Sequence, residues 1–239
     1  MASDTLIILT ARDEADRIEA TLGGLARAFP RAHVWVADDG SVDATAAIAR
    51  QAGANVVRSE RTIGKGGAAT LAAREALAWL RQAAEAGGEG FAAVGDATVV
   101  VLCDADLGGS AILLAALADA VRERRADLAV AVFAKRLGGG LGLAVGFARW
   151  AIRRRCGLDL HAPLSGQRAL RAGALEDVLP FAARFGMEVG MTIDAARAGH
   201  RVLEVELQLE HRATRRTFSG FLHRGRQLLD CAHVYLTRR

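Results

Sequence analysis

The sequence has few cysteines, almost no lysine and no long uncharged run. Its three cysteines, Cys103, Cys156 and Cys231, are widely spaced. They are too few for a disulfide framework or a four-cysteine zinc site, and their use suits a reducing compartment. No stretch approaches the ~18 uncharged apolar residues of a membrane-spanning helix. Asp119 and Arg149 interrupt the best candidates. Met1 to Thr10 has no positive region and only a short apolar run, so no signal peptide is expected. The expected location is the cytoplasm. No internal repeat or linker is visible, and only two of the 31 basic residues are lysine.

What is present describes a folded domain. Half of the 239 residues are apolar (51%). A chain of this length buries roughly 70% of its unfolded surface without a metal or disulfide staple. The net charge of +4 is uneven: residues 211–239 hold seven Arg against Asp230 alone, +6, leaving −2 for residues 1–210. A basic tail can meet phosphates or an anionic surface. Nucleic acid is not expected, since the tail has few aromatics and the body carries no nucleic-acid motif.

Strand and helix patterns alternate through the first half. Thr5 to Thr10, His33 to Ala37, Ala54 to Arg58, Thr98 to Cys103 and Leu128 to Phe133 read as strands. Helices are expected from Ile18 to near Pro30, at Thr45 to Gln51, Lys65 to Ala84 and Ala111 to Arg124, with a glycine-rich turn at residues 87–95. The second half reads as a glycine-rich loop (138–142), a helix through Arg155, a strand within 163–171, a helix at Met187 to Ala198, a strand at Val202 to Leu209 and a last helix at Phe221 to Leu236. This order predicts one α/β domain, a mostly parallel central sheet with helices on both faces.

In open α/β sheets ligands bind beyond the carboxyl ends of the strands. Those ends carry Thr10-Ala11-Arg12-Asp13-Glu14, Asp38-Asp39-Gly40-Ser41, Cys103-Asp104-Ala105-Asp106 and, after the late strand, His211. Acidic clusters converging on one edge repel unless a cation sits among them. Asp104 and Asp106 can hold a hard divalent ion, Mg²⁺ or, with a histidine, Mn²⁺; Asp-x-Asp is also common in plain loops and caps. Asp39-Gly40-Ser41 serves equally as a nucleotide contact or a capping turn. Gly64-Lys65-Gly66-Gly67 opens a helix in a way that suits a diphosphate. It lacks P-loop spacing, no G-x-G-x-x-G follows the first strand, and Ser165 is not in a G-x-S-x-G elbow.

The order of these signals carries more than any one of them. TLIILT followed by Asp13-Glu14, then VADDGSVDAT, GKGGA and VVVLCDAD, resembles the nucleotide-sugar half of family 2 glycosyltransferases with the GT-A fold. PLSGQRAL (163–170), FGMEVGMTID (185–194) and Glu210-His211 are most similar to glucosyl-3-phosphoglycerate synthases. The resemblance implies a metal-dependent hexose transfer from a nucleotide-diphosphate sugar, UDP-glucose by preference, to an acceptor. Residues 1–134 would form the nucleotide-sugar half, 135–215 the acceptor half and 216–239 a basic C-terminal helix. Thr10, Ala11 and Glu14 would line the base, Asp39 the base or ribose, and Gly64 with Lys65 and Asp104 the nucleotide-sugar. Asp106 and His211 would bind the metal, and Glu188 would reach the transferred sugar or the acceptor. Lys65, Asp104 and Glu188 form the implied catalytic set.

The chain departs from the synthases in two places. Gly138 to Ala144 reads GGGLGLA, where those enzymes carry an Arg-Val-Thr-Glu run that holds the phosphate and carboxylate of phosphoglycerate; Asp39 stands where they have Ser. A small-molecule or lipid-phosphate acceptor is therefore expected rather than 3-phosphoglycerate in particular. Glu188 or Asp194 is an alternative carboxylate base, and six positions apart on one helix they face different ways. A sugar-phosphate nucleotidylyltransferase would want a glycine-rich loop after the first strand. A catalytically silent nucleotide-sugar binding module remains a separate reading. The last helix carries an apolar stripe (Phe221, Leu222, Leu228, Leu229, Val234, Leu236) backed by arginines. That pattern fits core packing, a homodimer interface or peripheral contact with the inner face of a membrane.

Overall fold

The computed structural model describes residues 5–85, 98–133, 142–209 and 218–238. Seven strands form one sheet: β1 (Thr5–Ala11), β2 (His33–Asp38), β3 (Asn55–Arg58), β4 (Val99–Asp104), β5 (Leu128–Phe133), β6 (Arg168–Arg171) and β7 (Val202–Leu207), in the order β3-β2-β1-β4-β6-β5-β7. β1 pairs in parallel with β2 and β4, β2 with β3, and β5 with β7; β6 runs antiparallel between β4 and β5. The helices are α1 (Ile18–Ala28), α2 (Thr45–Gln51), α3 (Lys65–Glu85), α4 (Ala115–Arg122), α5 (Leu143–Cys156), α6 (Ala172–Val178), α7 (Met187–Arg197) and α8 (Phe218–Thr237).

Alternation along each strand divides the core into two layers, because successive side chains point to opposite faces. Ile7, Leu9, Val99, Val101 and Cys103 pack with Ile18, Leu25, Leu114 and Leu117 of the α1–α4 side. Leu6, Ile8, Val100 and Leu102 pack on the other face with Ala69, Ala72, Ala76 and Leu80 of α3 and with Leu175, Met187 and Met191. Burial on both faces explains why β1 and β4 read as continuous apolar runs rather than alternating ones. The alanines of α3 let its axis lie close to the sheet. A third, smaller cluster joins α5, α7 and α8 through Ala148, Ile152, Val189, Ile193, Cys231 and Val234.

Beyond shifts of one to three residues at other element ends, three boundaries differ from the sequence reading. The helix expected over 111–124 is a 3₁₀ turn, Gly108–Leu114, followed by α4. The Thr21 hydroxyl takes the Gly108 N–H at 2.8 Å and donates to the Ala105 carbonyl at 2.7 Å, which staples this segment against α1 and tightens its first turns. The strand within 163–171 is confined to β6, because Pro163 to Gln167 curls back into a turn closed by the Ser165 N–H on the Ala162 carbonyl. The late strand stops at Leu207. α6 had no clear sequence signal: it is one short helix that starts directly from β6. The glycine-rich turn at 87–95, Gly138 to Leu141, Glu210 and His211 lie outside the described residues.

Candidate functional site

The carboxyl ends of β1, β2 and β4 lie side by side, since Thr10 is level with Ala37 and Asp104, and Ala11 with Asp38. Lys65, the first residue of α3, reaches across them. Its Nζ lies 2.7 Å from Asp104 Oδ1 and 2.9 Å from Glu188 Oε1, so one ammonium bridges carboxylates from β4 and α7. The Thr10 hydroxyl donates to Asp104 Oδ1 at 2.7 Å, and the Gln167 amide to Asp104 Oδ2 at 3.0 Å. Burial alone would raise the Asp104 carboxyl. The Lys65 charge, with the hydrogen bonds from Lys65, Thr10 and Gln167, outweighs that and holds it below the ordinary carboxylate range. Burial likewise opposes the Lys65 charge, but Asp104 and Glu188 override it and push the ammonium pKa up.

Two glycines make this meeting geometrically possible. A side chain at Gly66 would collide with the Ala182 carbonyl, so only glycine lets α3 approach the segment that leads into α7. Thr70 reinforces the approach by accepting the Phe181 N–H at 3.1 Å. A Cβ on Gly166 would collide with Lys65 Nζ and stand 2.7 Å from Asp104 Oδ2. Behind Gly166 the guanidinium of Arg168 is buried. It donates to the carbonyls of Ser165 (2.9 Å) and Pro163 (3.3 Å) and to the Thr192 hydroxyl (2.9 Å). Burial draws its pKa down to about 10, against the opposing charges of Glu188 and Glu204. Arg168 thus ties the 163–167 turn to α7, the helix that carries Glu188.

The other expected residues are placed as follows. Asp39 is buried, and its carboxylate accepts the Ile63 N–H at 2.7 Å and the Gly64 N–H at 3.0 Å, holding the loop that starts α3. Its neighbour Asp38 is fully buried and accepts the Ser41 N–H at 2.9 Å, with Arg58 at 3.4 Å. Ala11 is buried in the first core layer, and its carbonyl takes the Asp39 N–H. The Glu14 N–H donates to the Thr45 hydroxyl at 2.9 Å, while its carbonyl begins the turn into α1. Asp106 is half-buried beyond Asp104, with its carbonyl held by Arg17 at 3.0 Å. Asp194 is paired with Arg238 on the far side of α7 from Glu188. Among the described residues no group of three or more His, Cys, Asp or Glu is arranged as a metal site.

The site therefore gathers Thr10, Lys65, Asp104 and Glu188, with Asp106 at its margin and Gly64 held through Asp39. Gly166, Gln167, Arg168 and Thr70 join the site without a sequence signal of their own. The run PLSGQRAL contains no pattern that tells a buried arginine from a surface one.

Comparison with known proteins agrees with this fold. A family model described as glycosyl transferase family 2 matches residues 6–78, the segment from β1 into α3. Solved structures of glucosyl-3-phosphoglycerate synthase from Mycobacterium tuberculosis superpose over nearly the whole chain. The complex with Mn²⁺, UDP-glucose and phosphoglyceric acid has a TM-score of 0.69 at 24% identity, covering 98% of this chain and 80% of that one. The complex with Mg²⁺ and UDP has a TM-score of 0.67 at 24% identity, covering 97% and 79%. The complex with phosphoglyceric acid has a TM-score of 0.67 at 23% identity, covering 99% and 80%. The chain has the GT-A fold. No curated protein sequence matches it significantly. The resemblance read from the motifs is thus found again in both halves of this GT-A domain, as a family-model match in the first and as structural similarity across both.

Proposed function

We propose that this GT-A domain is a metal-dependent glycosyltransferase that moves a hexose from a UDP-linked donor, UDP-glucose by preference, to a small-molecule or lipid-phosphate acceptor. The observation that carries this reading is Lys65 bridging Asp104 and Glu188 at the carboxyl end of β4, with Asp106 two residues beyond. Three carboxylates against Lys65 and the Arg17 guanidinium on the Asp106 carbonyl leave the edge net negative, which favours binding a cation.

The residues fit a divalent ion of the kind seen with UDP in the synthase complexes. Asp104 is engaged by Thr10, Lys65 and Gln167, and Asp106, the second carboxylate of the Asp-x-Asp pair, would hold Mg²⁺ or Mn²⁺. One carboxylate with diphosphate oxygens and waters is a normal set for such an ion. His211, assigned as a second ligand by resemblance, lies outside the described residues. When bound, the ion supplies positive charge against the donor diphosphate.

The remaining roles belong to the chain. Lys65 spends two of its three N–H donors on Asp104 and Glu188, which leaves one for a diphosphate oxygen. Held in that orientation, it is preorganised to stabilise charge as the leaving group departs. Glu188 is 6% exposed and turned onto Lys65, so in the resting site it aims the ammonium. Asp194 is committed to Arg238 and is out of consideration as a base. Titration calorimetry of the full chain with UDP, GDP and UDP-glucose, each with Mn²⁺ and with EDTA, tests the reading. Metal-dependent binding selective for UDP compounds is expected. Absence of binding to all three overturns it, and tight binding with no release of UDP in the presence of any acceptor favours a silent module.

A further inference from the structure

One face of the molecule, made by α5 and α8, carries none of Thr10, Lys65, Asp104, Asp106 or Glu188. On α5, Leu143, Phe147, Trp150 and Arg154 fall on one stripe at helical spacing, while Ala144, Ala148, Ala151 and Ile152 are buried on the opposite side. α8 lies alongside, with Tyr235 4.7 Å from Trp150 between ring centroids. Its Cys231 and Val234 face the core. Between the helices runs a shallow groove of about 480 Å³ lined by Gly142, Leu143, Gly146, Phe147, Trp150 and Leu228. Around it Leu229 is 70% exposed, Leu143 65%, Leu236 59% and Trp150 49%. Contiguous exposed apolar side chains of this size mark a contact surface.

The charge around the groove selects the occupant. α5 contains no acid and four arginines. Arg149 is paired with Asp159, and Arg155 donates to the Tyr235 carbonyl and stacks on its ring. Arg153 and Arg154 are exposed, continue the apolar stripe past Trp150 and have no carboxylate partner among the described residues. The one acid of α8, Asp230, is directed away toward the Phe185 N–H at 3.4 Å. A second copy of this face would bring like charges together. No helix among the described residues is long and apolar enough to cross a membrane. We infer that the α5–α8 face seats this protein on an anionic lipid bilayer, with the leucines and Trp150 entering the headgroup boundary and Arg153 and Arg154 meeting lipid phosphates.

The test is flotation of the full chain with vesicles of phosphatidylcholine, with or without about 30% phosphatidylglycerol. Binding to the anionic vesicles alone is expected, falling as salt is raised. Arg153→Gln with Arg154→Gln should weaken it roughly five-fold per arginine. Leu143→Glu with Leu229→Glu should abolish it, while the melting temperature stays near that of the parent because both positions are exposed. Failure to float with anionic vesicles overturns the inference. So does flotation that survives both pairs of changes. Sedimentation velocity covers the rival occupant: a dimer that dissociates in Leu229→Glu would assign the face to a second copy.

Discussion

On the β3-β2-β1-β4 side of the sheet, carboxylates at the strand ends find partners close by. Asp38 is met by Ser41 three residues later, and Asp39 by the Ile63 and Gly64 amides at the start of the next helix but one. On the β6-β5-β7 side the principal buried charge is Arg168. Its partners are Pro163, Ser165 and Thr192, and the carboxylates whose fields it feels are Glu188 and Glu204. Both sides join partners over similar separations in sequence. The first is organised by carboxylates that receive backbone amides, in part at half-buried loops, and the second by one guanidinium whose three bonds are all buried. At Lys65 the two sides touch through charge, Asp104 from the first and Glu188 from the second. The difference implies that the β3-β2-β1-β4 side should keep its stability on loss of single polar groups, while the other side should not.

The largest effect therefore belongs to Arg168. Arg168→Ala strands the Ser165 and Pro163 carbonyls, removes the buried cation whose field reaches Glu188 and Glu204, and opens a cavity. A loss of about 3–5 kcal/mol of stability is expected from urea unfolding. A loss below about 1 kcal/mol would mean that the turn at 163–167 holds itself, and the contrast between the halves would be gone. Asp106→Ala comes next and acts on binding alone. In the presence of Mn²⁺ its UDP affinity should fall roughly 100-fold, with the melting temperature unchanged because the residue lies at the sheet edge. Equal affinity in the folded variant would end the metal assignment.

Gly166→Ala probes the junction itself. The added methyl must displace Lys65 or Asp104, and overpacking of this kind costs about 1–3 kcal/mol. UDP affinity should drop about ten-fold by calorimetry, since the displaced ammonium no longer faces the diphosphate. If binding holds and only stability falls, Lys65 does not contact the donor.

The same contrast decides what could be read from the chain. β1, β2, β4 and β5 were legible because buried parallel strands are continuous apolar runs, and Lys65 was legible because glycines flank it at a helix start. Asp104 was placed correctly at a strand end, but its engagement by Thr10 and Gln167 needed the pairing of β1 with β4 and the antiparallel insertion of β6. Gly166 resembles any loop glycine until Lys65, about a hundred positions earlier, is laid over it. Arg168 reads as a surface arginine in an arginine-rich chain. Its burial follows from β6 being wedged between β4 and β5, which no local pattern announces.

The smallest effect tests how much stability the junction holds in its charge. The folded Asp104 carboxyl lies below its ordinary value of 3.8, so in the window between the two the unfolded chain binds more protons than the folded one. Stability from this group is therefore fully present above the ordinary value and is lost as pH falls through the folded one. Asp127, which accepts the Arg201 N–H at 2.8 Å and pairs with Arg171, is lowered too and contributes in the same direction. Asp194, raised by burial despite Arg238, acts in the opposite sense. Asp104→Asn should thus flatten the acid limb of the stability–pH profile without removing it. Because the Asp104 side chain is 31% exposed, the change at neutral pH should be only about 1 kcal/mol. An acid limb identical to the parent's would show that Lys65 is held by Glu188 alone, and that the β3-β2-β1-β4 side contributes position but no charge to the place where the two sides meet.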